Sequence, residues 1–301
     1  MRNVLIIREG SFGDLILTLP VVQSLKKNNF CVYLAGKGIY KNFFEIYSDI
    51  NGFYSFDNTF FLPLFSGERN QLLSEFLNNF DLIIFYEDEK TLQGKTLRKI
   101  FKGEILFHPV KNEHLKMHII DYLLLPVRNF PTEIEKYPFL KIENKEENII
   151  VIHPGSGCSH KNYKKENFFE IIKKIKDKEF KVILGPAEFD QFQWWNNKIG
   201  QEKILKTSFL QDIVDIVKTT KIYIGNDSGI THLFAASGVK TIAIFGPTSP
   251  FIWGPRGKKV KIIFREVGCN PCSKEKMKNC KEKLCFEQIE IKDIINFIEN
   301  F

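Results

Sequence analysis

Short apolar runs alternate with longer amphipathic stretches along the chain and define two series of predicted elements. In the first half, apolar runs predict buried strands at residues 3–7, 31–35 and 81–86. Stretches with apolar residues on one side predict helices at residues 15–27, 92–101 and 117–125. Pro20 lies within the first of these helices and predicts either a kink or a later start.

The alternation resumes after residues 126–148, a stretch rich in proline and charge that predicts a linker. Beyond it, predicted strands cover residues 148–152, 180–184, 222–224, 241–245 and 260–264. Predicted helices cover residues 166–176, 209–218, 231–237 and 289–301, and a further helix follows Glu188. Strands that alternate with helices are typical of parallel α/β sheets. We therefore predict two α/β domains, at residues 1–140 and 141–285, followed by a terminal segment at residues 286–301 that contains the last helix.

Composition narrows the class of protein and of ligand. A chain of 301 residues, 44% of them hydrophobic, fits one large or two medium domains. Basic and acidic residues interleave to a net charge of +7, which favours a small anionic substrate or an anionic membrane surface over nucleic acid. Only four apolar residues, 4–7, follow Arg2, and no apolar run approaches the ~18 residues of a membrane span. We expect a cytoplasmic protein whose contact with a membrane is at most peripheral.

A polar loop between two apolar runs carries the strongest functional signal. Residues 226–232 read NDSGITH, where a predicted strand ends and a short helix begins. Helix N-termini bind anions, and open α/β sheets bind ligands at the carboxyl ends of their strands. The loop contains a carboxylate, two hydroxyls and an imidazole, from Asp227, Ser228, Thr231 and His232. They predict a site for a hydroxyl-rich, phosphorylated ligand; the simpler alternative is that Asp227 and Ser228 only cap the helix.

The loop after the first predicted strand contains a second candidate group. It reads REGSFGD and matches neither a dinucleotide-binding fingerprint nor a P-loop. Gly10 and Gly13 permit close backbone approach to a ligand. Asp14 is either a proton acceptor for a substrate hydroxyl or a helix cap.

Two further loops follow predicted strands of the second half. Ser156 and Lys161 lie in a flexible, donor-rich loop that suits a diphosphate, unless it is an ordinary Gly/Ser turn. Glu188 follows the next strand, where an acidic residue accepts hydrogen bonds from ribose hydroxyls or complements a helix dipole.

Four of the six cysteines form a cluster with the spacing C-x2-C-x7-C-x4-C, namely Cys269, Cys272, Cys280 and Cys285. The expected cytoplasmic setting disfavours disulfides. The alternatives are a structural zinc site and four unpaired thiols in a loop. Lysines flank the cluster and are expected to lower the pKa values of the thiols.

Taken together, these loops resemble glycosyltransferase family 9, the bacterial ADP-heptose:lipopolysaccharide heptosyltransferases. The matching segments span nearly the whole chain in the same order and read VLIIREGSFGDLILTLPVVQSLK, IIVIHPGSGCSHKNYKKENFFEII, LGPAEFDQ and YIGNDSGITHLFAASGVKTIAIFGPTSPFIWGP. Residues 52–140 match only in general pattern, which leaves the acceptor open. The chain departs from many members at Tyr163, because they carry a tryptophan soon after the loop lysine.

The resemblance implies a GT-B architecture, in which the parallel sheets of two Rossmann-like domains face an interdomain cleft. The domain at 1–140 would bind the acceptor, with Gly10, Ser11 and Gly13 in its acceptor loop. The domain at 141–285 would bind the nucleotide sugar, and the helix at 286–301 would pack back toward the first domain.

The resemblance also implies an inverting displacement that needs no metal and no cofactor, with Asp14 as general base. The implied donor-binding residues are Ser156, Lys161, Glu188, Asp227, Ser228, Gly229 and His232. ADP-heptose is the expected donor. The expected acceptor is a lipid-linked saccharide of the lipopolysaccharide core, or of another surface glycan, at the inner face of the inner membrane.

Other functions fit the same sequence. The enzyme could use another nucleotide-sugar donor, or it could be a nucleotide-sugar epimerase or hydrolase that takes no acceptor. A third alternative is a non-catalytic nucleotide-binding protein that keeps the fold.

Overall fold

The computed structural model describes residues 1–110, 115–130 and 133–300. The chain divides into two units, residues 1–141 and 142–301, so the division falls within the stretch predicted to be a linker. The last residue of the predicted terminal helix, 301, lies outside the described residues.

The described residues of the first unit form a sheet of five parallel strands in the order β3-β2-β1-β4-β5. The strands are β1 (Asn3–Ile7), β2 (Cys31–Gly36), β3 (Gly52–Ser55), β4 (Leu82–Phe85) and β5 (Glu104–Phe107). The α-helices are α1 (Phe12–Lys27), α2 (Lys41–Tyr47), α3 (Leu62–Ser66), α4 (Gln71–Leu77), α5 (Leu92–Ile100) and α6 (Ile119–Leu123). The chain passes from β1 to one side of the sheet and later to the other. The switch point, where such sheets bind ligands, therefore lies between β1 and β4.

The second unit repeats this plan with six parallel strands in its described residues, in the order β11-β10-β9-β6-β7-β8. The strands are β6 (Ile149–His153), β7 (Glu179–Leu184), β8 (Ile204–Lys206), β9 (Thr220–Asn226), β10 (Lys240–Ile244) and β11 (Val260–Ile263). The α-helices are α7 (Lys165–Lys174), α8 (Phe192–Ile199), α9 (Leu210–Thr219), α10 (Gly229–Ala236), α11 (Pro250–Trp253), α12 (Lys274–Asn279), α13 (Leu284–Glu287) and α14 (Ile291–Glu299). Its switch point lies between β6 and β9, so the loops after these two strands are neighbours.

Each unit has its own core, in which alternate strand residues face one layer of helices. In the first unit, Leu5 and Ile7 of β1 pack with buried residues of α3, α4 and α5. In the second unit, Ile222 and Ile224 of β9 belong to a core that also contains residues of α7, α8 and α14. Every second side chain of these strands thus faces the helices, and each helix buries the one side that packs against them.

The terminal helix α14 is amphipathic, as the sequence predicts. Ile294 and Ile298, one turn apart, lie in the core of the second unit. The further expectation that this segment packs toward the first domain stays a prediction.

The longer predicted elements are present within a few residues of their expected bounds. The first helix begins at Phe12 and continues through Pro20, so the later start is wrong. Three strands were not predicted, β3, β5 and β8. They are only four, four and three residues long, which is too short for a clear period of two.

Candidate functional site

Asp14 lies at the switch point of the first sheet, in the first turn of α1. Its Oδ2 accepts hydrogen bonds from the backbone N–H and the hydroxyl of Ser11, both at 2.7 Å. Its Oδ1 lies 3.4 Å from the Arg8 guanidinium. Asp14 therefore does cap the helix start, and the same contacts orient an ionisable carboxylate whose side chain is 27% exposed. A carboxylate held in this way can accept a proton through Oδ1.

Gly10 makes this orientation possible. A Cβ at Gly10 would lie 2.7 Å from the Cβ of Asp14, closer than real side chains approach. Gly13 is buried within the first turn of α1, and Ser11 is exposed. The predicted acceptor-loop residues thus adjoin Asp14, and their contact with an acceptor stays a prediction.

Arg8 is a residue of this loop that sequence reasoning did not single out. It follows β1 directly, is 7% exposed and lies with its guanidinium 5.7 Å from the centre of the Tyr86 ring. Its Nε has no hydrogen-bond partner among the described residues. The available signal was a charged residue immediately after a strand of buried apolar residues.

Three loops of the second unit meet at Asp227. The Lys161 ammonium, from the loop after β6, lies 2.8 Å from Asp227 Oδ2. The hydroxyl of Thr248, from the loop after β10, donates to the same oxygen at 2.8 Å. Asp227 is only 7% exposed, and a buried charge needs a partner. That partner is Lys161, which lies 66 residues earlier in the sequence. Thr248 was not predicted as a site residue.

Ser228 caps α10, as the simpler interpretation of the motif predicts. Its hydroxyl accepts the N–H of Thr231 at 3.2 Å. The first N–H groups of the helix, starting at Gly229, point out of its N-terminus, and Asp227, which binds Lys161, directly precedes the cap residue. A cap and an anion-binding helix start are compatible, because they use different backbone groups.

A chain of buried, hydrogen-bonded polar groups lies against the start of α10. His153 Nδ1 lies 3.1 Å from the Tyr223 hydroxyl, which lies 3.1 Å from the Thr231 hydroxyl. Thr231 in turn donates to the backbone carbonyl of Asn226. Burial raises the pKa of Tyr223, which therefore stays a neutral hydrogen-bonding group. Thr231 was expected to contact the ligand, but its hydroxyl is used within this chain. His153, Tyr223 and Asn226 were not predicted to have a role, because each contacts partners that are distant in the sequence.

Glu188 joins the loops after β6 and β7. It is 3% exposed, its Oε2 accepts the N–H of Gly185 at 3.2 Å, and it lies 3.9 Å from His153 Nε2. A Cβ at Gly155 would lie 2.0 Å from its Cδ. Glu188 also stands in the first turn of a 3-10 helix, Pro186–Gln191, so the helix interpretation holds, and its contact with a ligand stays a prediction.

Ser156 and His232 are the remaining residues that were predicted to bind the nucleotide-sugar donor. The Ser156 hydroxyl lies 2.5 Å from Asn162 Oδ1 and 2.8 Å from the Cys158 carbonyl, so it shapes its own loop. His232 is 6% exposed within α10.

Tyr163 is buried among Phe168 and other aromatic residues of the core, and burial raises its pKa to about 12. Its ring therefore supports the loop from the core side.

The cysteine cluster contains free thiols. Across residues 1–110, 115–130 and 133–300, no three His, Cys, Asp or Glu side chains are grouped so that they could hold a metal ion. The expectation that lysines lower the thiol pKa values is wrong for two members. Burial and neighbouring thiols raise the pKa of Cys285 to about 11, and they raise that of Cys272 although Lys276 opposes the shift. The zinc site stays a prediction that metal analysis of purified protein can test.

A cavity of about 390 Å³ lies at the β5 edge of the first sheet. Its lining includes Arg98, Phe107 and His108, and none of the predicted site residues.

Among the described helices, none is both long and apolar enough to cross a membrane.

Comparisons with known proteins identify the family that this sequence resembles. The sequence profile of glycosyltransferase family 9 (heptosyltransferase) matches residues 120–283. Lipooligosaccharide heptosyltransferase 2 of Campylobacter jejuni is 23% identical over 288 residues, which cover 81% of this chain and 90% of the relative. Lipopolysaccharide heptosyltransferase 1 of Campylobacter coli is 28% identical over 164 residues, which cover 52% of this chain and 47% of the relative.

Solved structures show a similar fold. The Escherichia coli ADP-heptose lipopolysaccharide heptosyltransferase II superposes with a TM-score of 0.74 at 14% identity, over 100% of this chain and 98% of the other. The E. coli heptosyltransferase WaaC with ADP gives a TM-score of 0.73 at 15% identity, over 99% of each chain. The predicted α/β GT-B class with two parallel sheets is thereby confirmed.

Proposed function

Since the chain belongs to glycosyltransferase family 9, whose profile matches more than half of it, we propose that it transfers a heptose from ADP-heptose to a saccharide of the lipopolysaccharide core or another surface glycan. The observation that carries this proposal is the contact of Lys161, Asp227 and Thr248 at the switch point of the second sheet. The names of the relatives and of the E. coli structures point to the same donor and class of acceptor.

The donor diphosphate would lie at the start of α10. The N–H groups from Gly229 onward and the Lys161 ammonium would meet its charge. Asp227 would hold Lys161 in place and accept hydrogen bonds from sugar hydroxyls. Glu188 would contact ribose or sugar hydroxyls from the neighbouring loop, and His232 would face the diphosphate.

The chemical step would be a single displacement at the anomeric carbon. The acceptor hydroxyl would transfer its proton to Asp14 as its oxygen forms the new bond to that carbon. The bond from the anomeric carbon to the β-phosphate oxygen of ADP would break, with inversion and without a metal. Charge grows on the leaving diphosphate, so fixed N–H donors and Lys161 would stabilise the transition state more than the ground state.

The acceptor would be attached to a lipid at the inner face of the inner membrane, where a cytoplasmic enzyme can reach it peripherally. The net charge of +7 supports attraction to anionic lipid.

Calorimetric titration tests the donor class. The protein is titrated with ADP-heptose, ADP, a UDP-sugar and NAD, each repeated with Lys161→Ala and Asp227→Ala. The proposal predicts preference for ADP-heptose and ADP, weakened by both substitutions. Preference for a UDP-sugar would rule out ADP-heptose as the donor. Preference for NAD would overturn the transferase assignment of this site.

A further inference from the structure

Asn226 joins three parts of the second unit through one buried side chain. It is the last residue of β9 and has no exposed surface. Its Oδ1 accepts the backbone N–H of Tyr163 at 2.9 Å. Its Nδ2 lies 2.8 Å from the Pro154 carbonyl and 3.4 Å from the Gly155 carbonyl, to which it donates.

These contacts pin both ends of the loop that contains Lys161. Pro154 and Tyr163 bracket residues 155–162, and Asn226 directly precedes Asp227 in the chain. The two halves of the Lys161–Asp227 pair therefore depend on one amide for their relative placement. Since Asn226 does not itself point out of the loops, any effect on a ligand passes through its neighbours.

We propose that Asn226 is a positioning residue for donor binding. It holds the 155–162 loop against the end of β9 so that the Lys161 ammonium lies where the diphosphate binds. This inference rests on the proposed function, which assigns an ADP-sugar to these loops.

Loss of the Asn226 amide would have two effects, since buried backbone groups would lack hydrogen-bond partners and the 155–162 loop would become less ordered. Without the amide, two buried carbonyls and one N–H lose their partner. The loop contains Gly155 and Gly157, and the contacts of the Ser156 hydroxyl lie within the loop, so they do not fix it to the end of β9. A loop that samples many arrangements must be ordered on binding, and that ordering weakens the affinity for the ligand.

The rival explanation is that Asn226 only stabilises the fold, and Asn144 offers a matched control. Its Nδ2 also donates to two backbone carbonyls, those of Val217 and Thr220, and its Oδ1 accepts the N–H of Glu146 at 2.7 Å. Thr220 is the first residue of β9, so Asn144 acts at the opposite end of the strand, roughly 20 Å away along seven residues.

The test compares Asn226→Ala, Asn226→Asp and Asn144→Ala by thermal melting and by calorimetric titration with ADP, below the melting transition of each variant. Asn226→Asp keeps the volume and the oxygen that faces Tyr163 but removes the amide donor to the Pro154 carbonyl, so it separates loss of this hydrogen bond from loss of volume. Both Asn226 variants are expected to weaken ADP binding on the order of tenfold. Asn144→Ala should lower the melting temperature but leave ADP affinity unchanged.

A double-mutant cycle then shows how Asn226 acts. In a Lys161→Ala background, Asn226→Ala should cost less ADP affinity than in the wild type, because the group that it positions is already gone. Unchanged ADP affinity in folded Asn226 variants, or equal losses in the Asn226 and Asn144 variants, would overturn the inference alone. Failure of the wild type to bind ADP would overturn the proposed function first.

Discussion

The Lys161 ammonium lies 2.8 Å from Asp227 Oδ2 and joins two loops that are 66 residues apart in the sequence. The Lys161 side chain is 29% exposed, whereas that of Asp227 is 7% exposed. An anion that approaches this edge of the sheet therefore meets the cation first. The carboxylate behind it fixes the position of the ammonium but also competes with the ligand for its charge.

Replacement of Lys161 by alanine should weaken ADP binding by about tenfold to a hundredfold, the usual range for a lost charged hydrogen bond. Calorimetric titration with ADP measures this. Lys164→Ala is a matched control, because Lys164 lies three residues away and forms an exposed pair with Glu287 at 3.4 Å. Equal losses in the two variants would mean that general positive charge, not the Lys161 contact, attracts the nucleotide.

Asp14→Asn should abolish proton transfer while keeping the size of the side chain. The rate of ADP release in the presence of acceptor should fall by about 10²–10⁴-fold, with ADP affinity unchanged. Asp49→Asn serves as control, since Asp49 forms an exposed pair with Lys141 in the same unit. An Asp14→Asn enzyme that keeps wild-type turnover would rule out Asp14 as the base.

Gly155→Ala should damage the second unit more than Gly157→Ala. A Cβ at Gly155 would lie 2.0 Å from the Glu188 Cδ and would force this buried carboxylate away from the Gly185 N–H. We expect a loss of about 1–3 kcal/mol in the free energy of unfolding, together with weaker ADP-heptose binding. A Cβ at Gly157 meets no atom within 4 Å. Denaturant unfolding of both variants measures the difference, and similar stabilities would show that Glu188 can move freely.

His108 should make the first unit less stable in mild acid. Burial lowers the pKa of this imidazole below 6.5, although its hydrogen bond to the Tyr122 carbonyl at 2.9 Å opposes the shift. The unfolded chain then takes up a proton at a higher pH than the folded chain does. The free energy of unfolding therefore falls as pH drops through about 6.5 toward the lower pKa of the folded state.

Urea unfolding at a series of pH values from neutral to mildly acidic measures this dependence. His108→Gln should show a shallower fall than the wild type, because the other titrating groups remain in both proteins. Identical slopes would mean that His108 does not control the acid sensitivity.

The sequence predicts the long strands and the polar loops well because both signals are local. The apolar run of β9 and the residues NDSG that follow it announce a strand, a loop and a helix cap within a few positions. The loops after β6 and β9 are neighbours because these strands are adjacent at the switch point of one parallel sheet. That topology brings Lys161 to Asp227.

The residues that escaped prediction act through distant partners. Asn226 contacts residues that lie 63 to 72 positions earlier, and Arg8 lies over Tyr86. A single polar side chain at the end of an apolar strand carries no local mark of such contacts. The thiol pKa values were misjudged for a related reason, since flanking lysines are visible in the sequence and the burial of Cys285 is not.

The most direct test is product analysis with the wild-type protein. It is incubated with ADP-heptose and a lipid-linked saccharide acceptor that lacks heptose, and the products are analysed by mass spectrometry and nucleotide chromatography. The account predicts an acceptor that gains one heptose residue for each ADP released, with inverted anomeric configuration. Release of ADP together with free heptose and an unchanged acceptor, or no turnover of ADP-heptose by folded protein that turns over another nucleotide sugar, would contradict it.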